Sequence, residues 1–460
     1  MKAARNSLRK SLSQSPTRIL ILGYMLLILL GSLLLMLPRA TRIQGHLPFI
    51  DALFTSASAV CVTGLTVVDT AGTFSFFGQI ILVLLIQTGG LGIMVVSTVF
   101  ILSLGKKVGL TGKTIMRDTY SFEEGREIFS LLKEILLFTL SIEFIGALVL
   151  FLRFRTTQSI SEAAFNAVFH AISAFCNAGF SLFTNSFMNY YNDWIVSLTI
   201  CFLIILGGIG FIVLSEVKTK ISFSKKSRAF FSLHTKLVLS STLLLLIFST
   251  CFFIFLEWHN FAVGMTLPEK CLAGFFQAVN ARTSGFNSLP IENLTNGTLF
   301  MIILLMFIGA APGSCGGGVK ITTFSSLVLL GYSRLKGDEY PQIFYRKISN
   351  SSIAKATSVV MISLLVIIFG IIILQQTEIG GVFDQTSRGA FLELMFETVS
   401  AFGTVGLSMG VTPTLSIQGK IVITIMMFIG RLGPVAIALG VSTQKAPKRY
   451  HYAQENIMIG

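Results

Sequence analysis

The sequence predicts an all-α integral membrane fold: four consecutive repeats of a long helix, a short re-entrant helix and a second long helix. Three observations carry this. Of 460 residues 53% are hydrophobic and only 12% charged, about half the charged fraction of a soluble chain. Residues 18–37, 80–104, 235–256 and 352–374 are the clearest apolar runs, each long enough to cross a hydrocarbon core of about 30 Å. A short stretch centred on glycine recurs four times: AVCVTGLT, AFCNAGFS, NARTSGFN and AFGTVGLS.

The first element opens the chain. Lys2, Arg5, Arg9, Lys10 and Arg18 precede a full-length apolar run with no small-residue cleavage site behind it, which reads as a retained first helix rather than a signal peptide. The net charge of +14 would suit a nucleic-acid partner, but its distribution argues against one. Lysine and arginine collect in alternate loops: the N-terminus, 106–133, 218–236, 334–355 and 445–449. The intervening loops hold fewer basic residues and more acids, among them Asp51, Glu162, Glu257, Glu269, Asp384 and Glu393. This positive-inside pattern predicts an even number of spans, a multi-pass protein of the inner (plasma) membrane and both termini in the cytoplasm. Anionic lipid accounts for the remaining basic surface. The six cysteines, Cys61, Cys176, Cys201, Cys251, Cys271 and Cys315, form no CxxC pair and read as small apolar residues.

The repeat sets the internal elements. The central glycines are Gly64, Gly179, Gly285 and Gly406, spaced by 115, 106 and 121 residues. Ten residues before them stand Phe54, Phe169, Phe275 and Phe396; six before stand Ser58, Ser173, Val279 and Ser400; one after stand Leu65, Phe180, Phe286 and Leu407. A second marker follows 24 to 28 residues downstream in each repeat: GGLG from Gly89, GGIG from Gly207, GAAPG from Gly309 and GRLG from Gly430. The short helices are expected at 49–60, 161–175, 268–281 and 388–402. They are too short to span and match re-entrant elements. Four extracellular loops carrying amphipathic helices would be a plainer account. It leaves unexplained why the segment after each helix stays small, polar and glycine-centred.

Polar, irregular backbone at membrane depth must be buried in protein or line a wet cavity. Four copies around one axis would stack their carbonyl oxygens in rings, as a potassium filter does. Glycine suits such a stretch because turning successive carbonyls inwards needs φ > 0. The short helices would aim their negative C-terminal ends at a cation. No ring of carboxylates is present, since Thr63, Ala178, Ser284 and Val405 precede the glycines.

These four glycine stretches, together with GAAPGSCGGGVK, resemble the Trk/Ktr/HKT superfamily of potassium transporters, and the chain's length is closest to the bacterial KtrB-type membrane subunit. The resemblance spans about residues 18 to 445. It implies eight transmembrane helices and four re-entrant pore helices around a pseudo-fourfold pore. The corresponding division is a cytoplasmic segment 1–17, pore repeats 18–105, 106–220, 221–333 and 334–445, and a cytoplasmic tail 446–460. The implied filter is Val62, Thr63, Gly64 and Leu65; Asn177, Ala178, Gly179 and Phe180; Thr283, Ser284, Gly285 and Phe286; and Thr404, Val405, Gly406 and Leu407. Potassium would pass through their backbone carbonyls as substrate, with sodium or proton coupling left open and no covalent cofactor. The resemblance further implies a homodimer docked on a cytosolic, nucleotide-binding, RCK-type regulatory ring (KtrA-like).

Repeat 3 departs from the others. Gly309, Ala310, Ala311, Pro312, Gly313, Ser314, Cys315, Gly316, Gly317 and Gly318 cannot continue a helix, since each glycine costs about 1 kcal/mol and the proline about 3 relative to alanine. The resemblance makes this the intramembrane gate beneath the filter. Arg431 stands in the last span where repeat 1 has Gly90. An intramembrane arginine is a functional candidate, and the resemblance places it by the gate. Carbonyls of the glycine-rich loop are its expected acceptors, if repeat 4 neighbours repeat 3. Lys320 reads equally as a snorkelling or a gating residue, and Arg282 as an anchor of the third short helix near the outer surface.

A cation-coupled secondary transporter of another small solute is the alternative. Four same-sense repeats and few midplane acids count against it. The scattered His46, His170, His234, His259 and His451, with no HExxH, GxSxG or nucleotide motif, give no basis for an enzyme.

Overall fold

The computed structural model describes residues 16–42, 47–92, 128–221, 231–260, 264–380 and 387–441. The segments expected as the N-terminal segment up to residue 15, as most of the 106–133 loop and as the C-terminal tail lie outside these residues.

Four long helices open the four repeats: α1 (Pro16–Leu35), α4 (Ile128–Phe154), α8 (Leu233–Leu256) and α12 (Asn350–Glu378). Each contains an apolar stretch long enough to cross a membrane. They carry Leu26, Phe144, Leu244 and Phe369 exposed, as helices do whose outer side meets lipid rather than water. The short helices are α2 (Phe49–Cys61), α5 (Ile160–Phe175), α9 (Leu267–Asn280) and α13 (Ser387–Gly403), within two residues of their expected bounds. They are far better buried than the first helices. Phe54, Phe169 and Phe396 are fully buried, while Phe275 is half-buried beside an apolar cavity of about 630 Å³ on α8.

The second helices depart from expectation. All four are broken, not only the third. In repeat 1, α3 (Phe76–Leu91) ends at Gly92, so the run at 80–104 is not one helix. In repeat 2, α6 (Trp194–Ile209) and α7 (Phe211–Ile221) meet at 99° across Gly210. In repeat 3, α10 (Asn296–Phe307) and α11 (Ile321–Leu335) are separated by the glycine-rich loop. In repeat 4, α14 (Ile417–Leu432) gives way at Gly433 to α15 (Pro434–Val441). Gly92, Gly210 and Gly433 share one conformation, with φ of 82, 97 and 85° and ψ of 135, 140 and 135°. No helix continues through such a residue. The breaks escape a hydropathy reading because glycine keeps the run apolar.

The repeats close on themselves. Within each repeat the short helix packs on the first helix, while the second helices α3, α6, α10 and α14 pack on the short helices α5, α9, α13 and α2 of the next repeat in turn. A Lys420–Asp51 ion pair of 2.7 Å seals the last repeat to the first. At the start of each second helix, the N-capping residue is tied to the end of the first helix or, in repeat 1, to the turn just after it. Ser75 donates to the Arg39 carbonyl at 2.5 Å, Arg153 pairs with Asp193 at 2.5 Å, the Thr295 hydroxyl donates to Glu257 at 2.9 Å, and Ser416 N–H donates to Glu378 at 3.0 Å. A small hairpin, β1 (Gln342–Ile343) with β2 (Arg346–Lys347), interrupts the basic segment 334–355; the sequence did not foreshadow it.

Glu257 makes one of these ties sensitive to acid. Burial works against its ionisation, but hydrogen bonds from Thr298, Thr295 and Asn260 outweigh burial and hold it below the usual carboxylate range. A carboxylate whose folded value is depressed stabilises fully above the unfolded value of about 4.3 and loses that contribution as pH falls through the folded value. Glu257→Gln is therefore expected to lower the melting temperature in detergent at pH 7 and to flatten its fall below about pH 4.3. An unchanged acid profile in this variant would remove Glu257 from the explanation.

Candidate functional site

The four glycine stretches begin where the short helices stop. Val62, Asn177, Thr283 and Thr404 adopt left-handed backbone, with φ of 58, 60, 72 and 51°. In repeats 1, 2 and 4 this is how the helix terminates. The next residue's N–H reaches back to the helix: Thr63 to the Ser58 carbonyl at 2.8 Å, Ala178 to Ser173 at 2.7 Å and Val405 to Ser400 at 2.8 Å. Such a six-to-one bond normally has glycine in the left-handed position; here valine, asparagine and threonine take it. Gly64, Gly179, Gly285 and Gly406 follow two residues later with φ of 91, 70, 74 and 93°.

Positive φ at all four central glycines is as expected and strains any side chain placed there, although valine, asparagine and threonine accept it two residues earlier. The neighbouring chain supplies a second reason for glycine. A Cβ on Gly64 would meet the Ala178 carbonyl, one on Gly179 the Ser284 carbonyl, one on Gly285 the Val405 carbonyl and one on Gly406 the Thr63 carbonyl. Each stretch therefore lies against the next, and the fourth against the first. All sixteen residues of the four stretches come together in one closed ring in chain order, and all but half-buried Gly179 are buried.

The short helices hold this ring from behind. Ser58 and Ser400 hydroxyls accept from the N–H of Gly64 and Gly406, both at 3.1 Å. Ser173 donates to the Phe180 carbonyl at 2.8 Å. Repeat 3, with Val279 at that position, uses the neighbouring Asn280, whose Oδ1 accepts from Phe286 N–H at 3.1 Å. The recurring serine was visible in the sequence, but its bond and the substitute Asn280 were not.

The glycine-rich loop sits against one end of the ring. Gly317 N–H donates to Thr404 Oγ1 at 3.0 Å, and a Cβ on Gly316 would strike the Thr283 hydroxyl. The loop is also tied to repeat 2. Ala311 and Cys315 N–H donate to the Gly208 and Gly207 carbonyls at 2.9 and 3.1 Å, and Phe211 N–H donates to Gly313 at 3.0 Å. It closes on itself through Gly309 N–H to Val319 at 2.8 Å and the Ser314 hydroxyl to Ala311 at 2.6 Å. Ala310 accepts from Ile321 N–H at 3.2 Å, and Gly318 N–H reaches the Gly430 carbonyl of repeat 4 at 3.3 Å. Pro312 and Gly313 crowd Gly210, the break in repeat 2.

Arg431 pins this loop. Its guanidinium donates to the carbonyls of Cys315 in repeat 3 and Gly89 in repeat 1, with Gly90 further off at 3.4 Å. Loop carbonyls are thus its acceptors, as expected, joined by those of repeat 1, which the sequence did not suggest. Lys320 donates from Nζ to the Gly316 carbonyl at 2.6 Å, so it braces the loop. Arg282 corrects an expectation. It is buried rather than near the outer surface and lines a cavity of about 20 Å³ with Asn177, Gly208, Thr242 and Ala310. Its place at the C-terminal end of the short helix, one residue before Thr283, carries it inwards with that end. Among the described residues no group of three or more His, Cys, Asp or Glu side chains is placed to hold a metal ion.

Known proteins share this plan. Residues 9–449 match the TrkH cation transport protein family. The chain is 42% identical over 441 residues to the Ktr system potassium uptake protein B of Bacillus subtilis, covering 95% of each protein. It is 35% identical over 463 residues to the potassium/sodium uptake protein NtpJ of Enterococcus hirae, covering the whole of both. The crystal structure of the potassium transporter TrkH from Vibrio parahaemolyticus has the same fold, with a TM-score of 0.71 at 17% identity over 93% of this chain and 84% of that one. With the family match running over residues 9–449, from the first long helix to the last, this chain is a multi-pass membrane protein belonging to the TrkH family of cation transport proteins.

Proposed function

We propose that this chain is the potassium-translocating membrane subunit of a Ktr-type uptake system. The observation that carries the reading is the closed ring of four glycine-centred stretches at the ends of four buried helices. Carbonyl oxygens there would replace the hydration shell of a potassium ion, with the negative helix ends favouring a cation. On this reading each repeat is a membrane-crossing helix, a re-entrant pore helix and a broken second crossing, giving eight crossings around a pseudo-fourfold axis. The loop at residues 309–318, held by Arg431, is the gate on the cytoplasmic side of the filter. The relatives named for potassium uptake support the choice of ion over another small solute.

The protein would lie in the plasma membrane with both termini in the cytoplasm. It would work as a homodimer on a cytosolic, nucleotide-binding RCK-type ring. The basic segments supply a surface for that ring, and Leu335 and Tyr345 stand exposed on one of them. Rubidium uptake into proteoliposomes, with and without an imposed sodium gradient, tests the reading. Uptake competed by potassium is expected, and acceleration by the sodium gradient would add coupling. Absence of potassium-competed uptake by folded protein would refute it.

A further inference from the structure

The serine and asparagine bonds hold the middle of each glycine stretch. The outer shoulder, two to three residues beyond the glycine, is held differently in different repeats. Nine residues before the four glycines stand Thr55, His170, Phe276 and Glu397. Two of the four reach forward to the shoulder of their own stretch.

In repeat 2, the His170 ring spans from helix to shoulder. Its Nδ1 lies 2.7 Å from the Asn166 carbonyl, and its Nε2 accepts from Leu182 N–H at 3.2 Å with the Ser181 hydroxyl at 3.0 Å. A backbone N–H can only donate, so Nε2 is the acceptor nitrogen and Nδ1 carries the proton. Phe183 stacks on the ring at 4.6 Å and Phe187 meets it edge-on at 5.0 Å, so the imidazole has one orientation. In repeat 4, Glu397 does the same work with a carboxylate. It accepts from the Ser408 hydroxyl at 2.8 Å and from the Thr412 hydroxyl. Ser408 in turn accepts from Gly410 N–H at 3.1 Å. Both side chains are fully buried.

Repeats 1 and 3 lack this strut. The Thr55 hydroxyl turns back to the Asp51 carbonyl of its own helix at 2.8 Å, and Phe276 has no polar group. In repeat 3 the shoulder is tied sideways to repeat 2, where Phe187 N–H donates to the Asn287 carbonyl at 2.9 Å and Asn287 N–H to Ser186 at 3.1 Å. Since the stretches follow one another in chain order around the ring, repeats 2 and 4 face each other across it. Two opposed shoulders are strutted from behind and the two between them are not.

We infer that His170 and Glu397 are positioning residues that set the width of the outer mouth of the filter from opposite sides, and so help decide which alkali cation passes. This rests on the filter reading above. A strut of one or two hydrogen bonds to a buried carboxylate or imidazole fixes backbone that would otherwise relax around a smaller ion. Its loss is expected to lower discrimination rather than folding alone.

The test is potassium, rubidium and sodium flux through purified protein in proteoliposomes, with thermal unfolding of each variant in parallel. Glu397→Val and His170→Phe should each lower the potassium-to-sodium flux ratio by about tenfold, the loss of one hydrogen bond to a charged or buried polar group. Glu397→Gln, which can still bond both hydroxyls, should keep the ratio within about twofold. Ser408→Ala removes the shoulder bond of Glu397 from its other end and decides the matter if Glu397→Val does not fold, while Ser181→Ala, which leaves the Leu182 N–H on His170, should lower the ratio less than His170→Phe. Glu397→Val with Ser408→Ala should lose no more than Glu397→Val alone, because both break one contact. Folded variants with an intact ratio, or with a slower rate at an unchanged ratio, would overturn the inference while Gly285→Ser still lowered the ratio. An unchanged ratio in Gly285→Ser as well would instead take down the filter reading.

Discussion

Gly285→Ser is expected to reduce the potassium-to-sodium flux ratio by roughly ten- to a hundredfold while leaving membrane insertion intact. The argument begins with space. A Cβ at residue 285 would strike the Val405 carbonyl, and Gly406 Cα stands 2.9 Å away. That neighbour is backbone and cannot swing aside. The left-handed conformation at φ 74° adds a cost of about 1–3 kcal/mol for a residue with a side chain, and each 1.4 kcal/mol is about a factor of ten in relative affinity. The strain falls between two adjoining stretches, so the damage should spread from repeat 3 to repeat 4. Gly64→Ser should behave alike, its Cβ meeting the Ala178 carbonyl. Tracer competition in proteoliposomes measures both. Unchanged selectivity in folded Gly285→Ser and Gly64→Ser protein would mean that the ring is a packing feature only.

The second large effect is expected from Arg431. Its guanidinium joins three repeats through the carbonyls of Cys315, Gly89 and Gly90, and charge-assisted bonds of this kind contribute about 1.5–3 kcal/mol each. Arg431→Gln should therefore free the loop and raise basal flux by about tenfold or more. Deleting Gly316 to Gly318 should raise it too, because that segment fills the space under Thr283 and Thr404. The two changes should not add, since both remove one barrier. Independent effects would separate the arginine from the loop. If Arg431→Gln protein only failed to fold, Arg431 would be a strut of the closed ring of repeats and not part of a gate.

Much of this arrangement was legible in the sequence because it is written in period and offset. Phenylalanine at one fixed distance before glycine, four times over, placed the short helices to within two residues. The glycine-rich run of repeat 3 announced its own break through composition. The other three breaks did not, since one glycine in an apolar run, such as Gly92 or Gly210, reads as helix until its φ is known. The left-handed residues at Val62, Thr283 and Thr404 were hidden for the opposite reason: their β-branched side chains disfavour the conformation they occupy, which at Val62 and Thr404 a helix-ending hydrogen bond accompanies. Arg282 was misplaced because a cation beside the filter would work against it, whereas its position at the C-terminal end of a buried short helix determined where it lies. His170 and Glu397 share an offset from the glycine, yet differing residue types at that offset concealed the shared task.

The central claim is that a cation passes through the ring of backbone around Gly64, Gly179, Gly285 and Gly406. Crystals of the protein grown in rubidium chloride, with anomalous scattering recorded at the rubidium edge, test it most directly. The account predicts rubidium on the axis enclosed by the carbonyls of Thr63, Ala178, Ser284 and Val405, displaced by potassium and lost in Gly285→Ser. Rubidium bound only at side chains elsewhere, in protein that still transports it, would contradict the account.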